Sequence, residues 1–170
     1  MSITLTQERI TATVKIIMEY GGTGILKCVQ CGACSAVCPS IKAGFPILCR
    51  VLIKKLLIGQ LEEIIEEQSS WACQACCRCS EVCPQGVKPQ EVVFAFRRFQ
   101  ANELAISAAA TTSLIDFHAT GHAAHTSTHE ELRMLVGLPP KPPTTVSNPA
   151  ALKQLQAILE NCLMGELGFY

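Results

Sequence analysis

Two cysteine runs constrain this chain more than any other feature: Cys28-Val-Gln-Cys31-Gly-Ala-Cys34-Ser-Ala-Val-Cys38-Pro39 and Cys73-Gln-Ala-Cys76-Cys77-Arg-Cys79-Ser-Glu-Val-Cys83-Pro84. Both read C-x2-C-x2-C-x3-C-P. Each ligand position of the second lies 45 residues beyond its counterpart in the first, and the Cys-Ser-x-Val-Cys-Pro ending repeats as well. Three cysteines spaced by two residues let a tight loop wrap three corners of a cubane, and runs of this spacing hold iron–sulfur clusters through thiolates. One such run can arise by chance; two in register cannot.

In two-cluster ferredoxins the fourth cysteine of each run ligates the other run's cluster. That rule predicts one 4Fe–4S cluster on Cys28, Cys31, Cys34 and Cys83, and a second on Cys73, Cys76, Cys79 and Cys38. Each cluster then staples the two halves of the domain, so losing a cluster is expected to unfold it as well. Cys-x2-Cys pairs also build zinc sites, but those separate two pairs by a long loop. Four cysteines within eleven residues, each run closed by proline, favour the cubane; a zinc-stabilised interaction module is the non-redox alternative.

Eleven cysteines in 170 residues fit either disulfides in a secreted chain or metal ligands in a reduced compartment. The N-terminus shows no basic start followed by an apolar run. The longest greasy stretch, residues 47–58, is short and carries Arg50, Lys54 and Lys55, so no membrane span is expected. A cytoplasmic location follows. Net charge is zero, which removes the electrostatic case for nucleic acid. Only 16% of residues are charged, which suggests surface covered by other proteins in a hetero-oligomer.

The remaining periodicities are helical. Ile10, Val14, Ile17 and Met18 predict an amphipathic helix over 6–20, ended by Gly21-Gly22. Between the runs, Pro46 begins a helix with Leu48, Leu52 and Leu56 on one face and Gly59 at its end. Leu61, Ile64 and Ile65 mark a second, short helix whose acidic face reads as solvated. Trp71 is expected to pack against the second cysteine loop and exclude water from it. Lys88-Pro89 opens a helix with Val92, Val93, Phe96 and Phe99 as its core stripe; Phe94 lies off that stripe and Arg97 and Arg98 face away from it, the three forming a minor candidate for partner contact.

Beyond residue 105 the composition shifts to Ala, Thr, Ser and His, so the chain divides into a di-cluster domain, 1–105, and a docking extension, 106–170. His118, His122, His125 and His129 recur at helical spacing, a pattern able to bind zinc or nickel. Gly121 and Thr126-Ser127-Thr128 weaken that helix, so a polar or interface face is the preferred reading. Residues 138–143 form a stiff proline-rich arm. A last helix from Pro149 carries Leu152, Leu155, Leu159 and Leu163, and reads as an anchor onto a partner. Cys77 is read as a packed thiol beside ligand Cys76, and Cys49 and Cys162 as small core residues on helices.

The helical insert, the Trp71-Ala-Cys73 to Pro84 run continuing into Val87-Lys88-Pro89, and the proline-rich arm together resemble the heterodisulfide reductase HdrC family. The resemblance covers essentially the whole chain, although only the cysteine runs are highly specific. It implies an all-α helical ferredoxin with two 4Fe–4S clusters, followed by a Pro-rich arm and a C-terminal helix. It also implies electron relay between two partners, with no bond chemistry in this chain. One partner is the flavin- and cluster-bearing A-type component of heterodisulfide reductases, and the other is the catalytic B-type component of the CCG class. In methanogens such complexes reduce the mixed disulfide of coenzymes M and B; similar complexes of sulfur-oxidising bacteria run sulfur chemistry oxidatively. The eight cysteine ligands carry over, and no role passes to Cys77 or to the histidines. An iron–sulfur component of another dehydrogenase complex and a free ferredoxin are the redox alternatives.

Overall fold

A computed structural model describes residues 6–122, 129–166 and 168. Among the described residues every regular element is helical. The chain forms two compact units, Met1–Ile106 and Ser107–Tyr170.

The first unit is framed by three helices: α1 (Gln7–Glu19), α4 (Arg50–Leu57) and α6 (Pro89–Asn102). Short helices α2 (Ala33–Ala36), α3 (Pro39–Lys42) and α5 (Arg78–Glu81) belong to the cysteine runs. Local chemistry explains where the long helices start. The Thr6 hydroxyl caps α1 by accepting from the Arg9 amide at 3.3 Å. Pro89 sits in the first turn of α6, where its missing N–H costs nothing. α1 packs against α4 and α6, and α4 against α6. Ile17, Ile25, Leu52, Ile53, Leu56 and Phe96 are wholly buried between them. Fully burying an aliphatic or Phe side chain of this kind stabilises by about 1.5–3 kcal/mol.

The glycines after α1 serve this packing. Gly24 lies directly against the backbone carbonyl of Val87, so a Cβ there would clash with main chain. A Cβ at Gly22 would stand 2.6 Å from Ile17 Cγ2. Two expectations shift. Met18 is exposed, and Thr13 takes its place on the buried face of α1. The helix expected from Pro46 starts only at Arg50, because Cys49 at φ 46° and ψ −113° breaks the helical path. Leu48 is still fully buried, but from the segment before the helix.

The second expected insert helix is a 3₁₀ turn, Glu62–Ile64. Its acidic face is not merely solvated. Arg9 pairs with both Glu62, at 3.2 Å, and Glu63, tying the start of α1 to the insert. From α6, the wholly buried Gln100 donates to the carbonyls of Ile65 (2.7 Å) and Glu67 (2.9 Å) and accepts from Ser70 Oγ (2.5 Å). The buried amide is thus satisfied, as its burial requires.

The second unit comprises α7 (Ala108–Thr120), α8 (Glu130–Leu135), α9 (Pro149–Glu160) and α10 (Leu163–Glu166). Ser107 caps α7 and Asn148 caps α9 through side-chain oxygens. α7 packs on α9, yet among the unit's described residues no side chain is fully buried. The leucine stripe ends early, since the helix stops at Glu160 and Leu163 belongs to α10. Cys162 is half-buried between these helices, not on one. The proline arm is held by its carbonyls: Arg133 Nε donates to Pro139 O at 2.9 Å and Ser147 Oγ to Pro142 O at 2.9 Å. No helix among the described residues is long and apolar enough to cross a membrane.

Candidate metal centre

The 45-residue sequence repeat is also a repeat of backbone geometry. Gln30 and Ala75 both adopt left-handed conformations, at φ 59° and 53°. Gly32 and Cys77 do so again two residues later, at φ 89° and 59°, and each caps the short helix that follows, α2 or α5. The left-handed residues reverse the chain twice within a few positions, curling each run into a tight loop. Helices α2 and α5 pack on each other, bringing the two loops side by side. The repeat ends at the prolines. Pro39 starts α3, whereas Pro84 enters a turn.

Two cavities open beside these loops. Cys28, Cys31, Cys34 and Cys83 line one. Cys38, Cys73, Cys76 and Cys79 line the other. Each therefore gathers the first three motif thiols of one run and the last thiol of the other, and Cys49 and Cys77 also line the second. Within each set the thiols are graded in exposure: Cys31 and Cys76 face solvent, Cys34 and Cys79 are buried, and the other four are half-buried. Among the described residues no three His, Cys, Asp or Glu side chains converge on a point that would hold a single metal ion. A zinc site needs four donors at about 2.0–2.3 Å from one centre, whereas a cubane spreads its four ligands over separate corners. An all-thiol set with three members on one C-x2-C-x2-C loop fits the latter.

The surroundings act on individual sulfurs. The Gln30 side-chain amide donates to Cys28 Sγ at 3.3 Å. Burial pushes the Cys28 and Cys73 thiols up, because desolvation disfavours a thiolate. Cys34 and Cys79 move the other way, to about 6 and about 7, with a hydrogen bond from Cys49 the largest cause for both. Cys49 itself is pushed strongly up by those two neighbours. It is buried, as expected of a core residue, but it ends the segment before α4 and does not lie on the helix.

The leader into the second run is pinned carbonyl by carbonyl. Arg97 Nε donates to Ser70 O at 2.6 Å, and its Nη2 to Trp71 O at 2.7 Å and Cys73 O at 2.8 Å. Ser40 Oγ takes the remaining carbonyl, Ala72 O, at 2.7 Å. The guanidinium also packs over the rings of Phe94 and Trp71, 4.9 and 5.6 Å from their centres. Arg98 donates to Tyr20 O at 2.7 Å. Both arginines, off the core stripe in sequence, are thus internal clamps. The aromatic pair Trp71 and Phe94 was the available signal, since planar cations stack on such rings.

Other candidates are not assembled as expected. Cys77 is exposed rather than packed; it rims the second cavity, 3.4 Å from Ala75 O. The histidine series does not share a helical face. His118 is on α7, but Gly121 ends that helix at φ 76°, with His122 beyond it and His129 preceding α8; His125 lies outside the described residues. His118 faces Glu160 at 3.5 Å and His122 faces Thr144 at 2.6 Å.

Comparison with known proteins agrees with this geometry. Residues 25–84 match the family model of a 4Fe-4S dicluster domain. A protein of Archaeoglobus profundus named as like the C subunit of heterodisulfide reductase is 44% identical, over 91% of this chain and 81% of its own length. The C subunit of the H(2):CoB-CoM heterodisulfide,ferredoxin reductase of Methanothermobacter thermautotrophicus is 37% identical, over 85% of this chain and 78% of its own length. The iron-sulfur C subunit of the CoB–CoM heterodisulfide reductase of Methanopyrus kandleri is 33% identical, over 78% and 69%.

Proposed function

This chain belongs to the heterodisulfide reductase HdrC family of iron–sulfur electron-transfer proteins, and on that footing we propose that it relays single electrons through two 4Fe–4S clusters. The first would be held by Cys28, Cys31, Cys34 and Cys83, the second by Cys73, Cys76, Cys79 and Cys38. The observation that carries this reading is the sorting of the eight thiols into two cavities, each with one cysteine borrowed from the other run. The electrons would pass between a flavin- and cluster-bearing A-type partner and a CCG-class B-type partner, in the cytoplasm. Relatives named for a CoB–CoM heterodisulfide support a disulfide as the eventual substrate of such a complex.

When bound, a 4Fe–4S cluster takes up and gives back one electron at a time. The protein's part is to hold, shield and bias. Leu48 and Val93 keep water from the inner wall of the second cavity, and Ile53 does so for the first. Gln30 favours the more negative state at Cys28 by donating to its sulfur. Exposed Cys31 and Cys76 give each site an edge at the surface where electrons can enter and leave. Val29, 62% exposed beside Cys31, offers apolar surface for a partner there.

Two experiments test the proposal. Anaerobic purification from the native host, with an iron and sulfide assay, is expected to recover a brown protein with a flavoprotein and a CCG-class protein. Recovery alone would indicate a free ferredoxin, and a colourless zinc protein would overturn the redox reading. Separately, Cys38→Ser is expected to damage the cluster of the second run, and Cys83→Ser that of the first. Loss in each variant of the cluster of its own run would refute the crossed ligand sets.

A further inference from the structure

Among the described residues, Cys49 is the one cysteine outside the two runs that is buried with them. It is 3% exposed and packs in a single apolar cluster with Cys34 and Cys79, which are the buried ligand candidates of the first and second cavities. It lines the second cavity directly, while the next residue, Arg50, lines the first. All three cysteines belong to that buried cluster, and the neighbouring Cys34 and Cys79 push the Cys49 thiol strongly up. The segment is fixed there from outside, since the Arg50 amide donates to the Ser35 hydroxyl at 3.3 Å and Ile53 N–H to Cys49 O at 3.0 Å.

The backbone says that the side chain matters. Cys49 sits at φ 46°, where an L-residue is strained and glycine would be at ease. A cysteine is held there nonetheless, on the wall of the second cavity and in one buried cluster with Cys34 of the first. Leu48 and Val93 already supply the apolar filling around it, so hydrophobic bulk alone does not require sulfur.

We propose that Cys49 is a positioning residue between the two clusters, its S–H donating to the ligand sulfur of Cys34 or Cys79 and so setting the difference between the two reduction potentials. A thiol carries one proton and can donate to one sulfur at a time. Hydrogen bonds to ligand sulfur favour the reduced, more negative cluster and raise its potential. The cluster that receives the bond is therefore the easier one to reduce, which gives the relay a direction between two otherwise near-repeated sites. The inference rests on the two-cluster reading above.

The test uses the full chain carrying its clusters, compared with Cys49→Ala and Cys49→Ser in redox titrations followed by electron paramagnetic resonance. Iron and sulfide content of the unsubstituted protein is measured first; less than two clusters' worth refutes the two-cluster reading itself, before Cys49 is in question. With both clusters present, Cys49→Ala is expected to lower one potential by about tenfold in its one-electron equilibrium, ~59 mV. Cys49→Ser, which keeps a donor, is expected to restore most of that shift. Unchanged potentials in the alanine variant overturn the proposal, as do equal shifts in both variants, which would mark a packing effect. If the alanine variant does not retain iron, infrared difference spectra decide the matter. An S–H stretching band that shifts on cluster reduction and vanishes in Cys49→Ser supports the bond, and the lack of any such band overturns it.

Discussion

Replacing Arg97 by leucine keeps most of the bulk over Trp71 and Phe94 but removes the donors that hold Ser70, Trp71 and Cys73 by their carbonyls. A hydrogen bond from a charged donor contributes about 1.5–3 kcal/mol net. Three of them do not sum here, because the guanidinium is only half-buried and water can replace part of what is lost. Stacking on the rings adds about 0.5–1 kcal/mol. A cost of about 2–4 kcal/mol follows, confined to the leader that delivers Cys73 to the second cavity. At about 1.4 kcal/mol per tenfold, local opening there becomes roughly thirty- to a thousandfold easier. The assay is iron release to a chelator under anaerobic conditions, with spectroscopy to identify which cluster remains. Two phases are expected in Arg97→Leu, the faster one emptying the site of Cys73, Cys76, Cys79 and Cys38. Arg97→Lys keeps the charge but lacks the planar fork, and should fall between. Equal acceleration of both phases, or release at the unsubstituted rate, would refute the clamp.

Cys77 takes the left-handed position that Gly32 holds in the first loop, so Cys77→Gly is expected to leave iron content unchanged and stability within about 0.5 kcal/mol, relieved strain offsetting unfolded-chain entropy; a loss of iron would assign Cys77 a ligand role. Gly24→Ala drives a methyl against the Val87 carbonyl, with nothing flexible to yield, and should lower stability in denaturant titration by about 2–3 kcal/mol.

Much of the site could be read directly from residue order because its determinants are local. Spacing within C-x2-C-x2-C sets which thiols a single loop can turn inward, and Thr6, Ser107, Asn148, Pro89 and Pro149 announce helix starts within a few residues. Cys49 carried no such mark. It belongs to neither run, and its meaning depends on Cys34 and Cys79, which lie 15 and 30 residues away and approach it only when α2 and α5 pack together. Arg97 fell off the hydrophobic stripe for a similar reason. Helical periodicity tells where a side chain leaves the axis, and cannot tell that a long cation will fold back onto carbonyls 24 to 27 residues earlier. The histidine spacing misled in the opposite direction, since a regular interval means one face only while the helix lasts, and Gly121 ends it. The sequence by itself thus determined the eight candidate thiols, the two loops that present them and the helical class, all set by neighbours in the chain. Tertiary structure decided that Cys49 is buried on the wall of the second cavity and that Arg97 clamps the second loop, because those depend on contacts whose closure is won only when the whole core is buried.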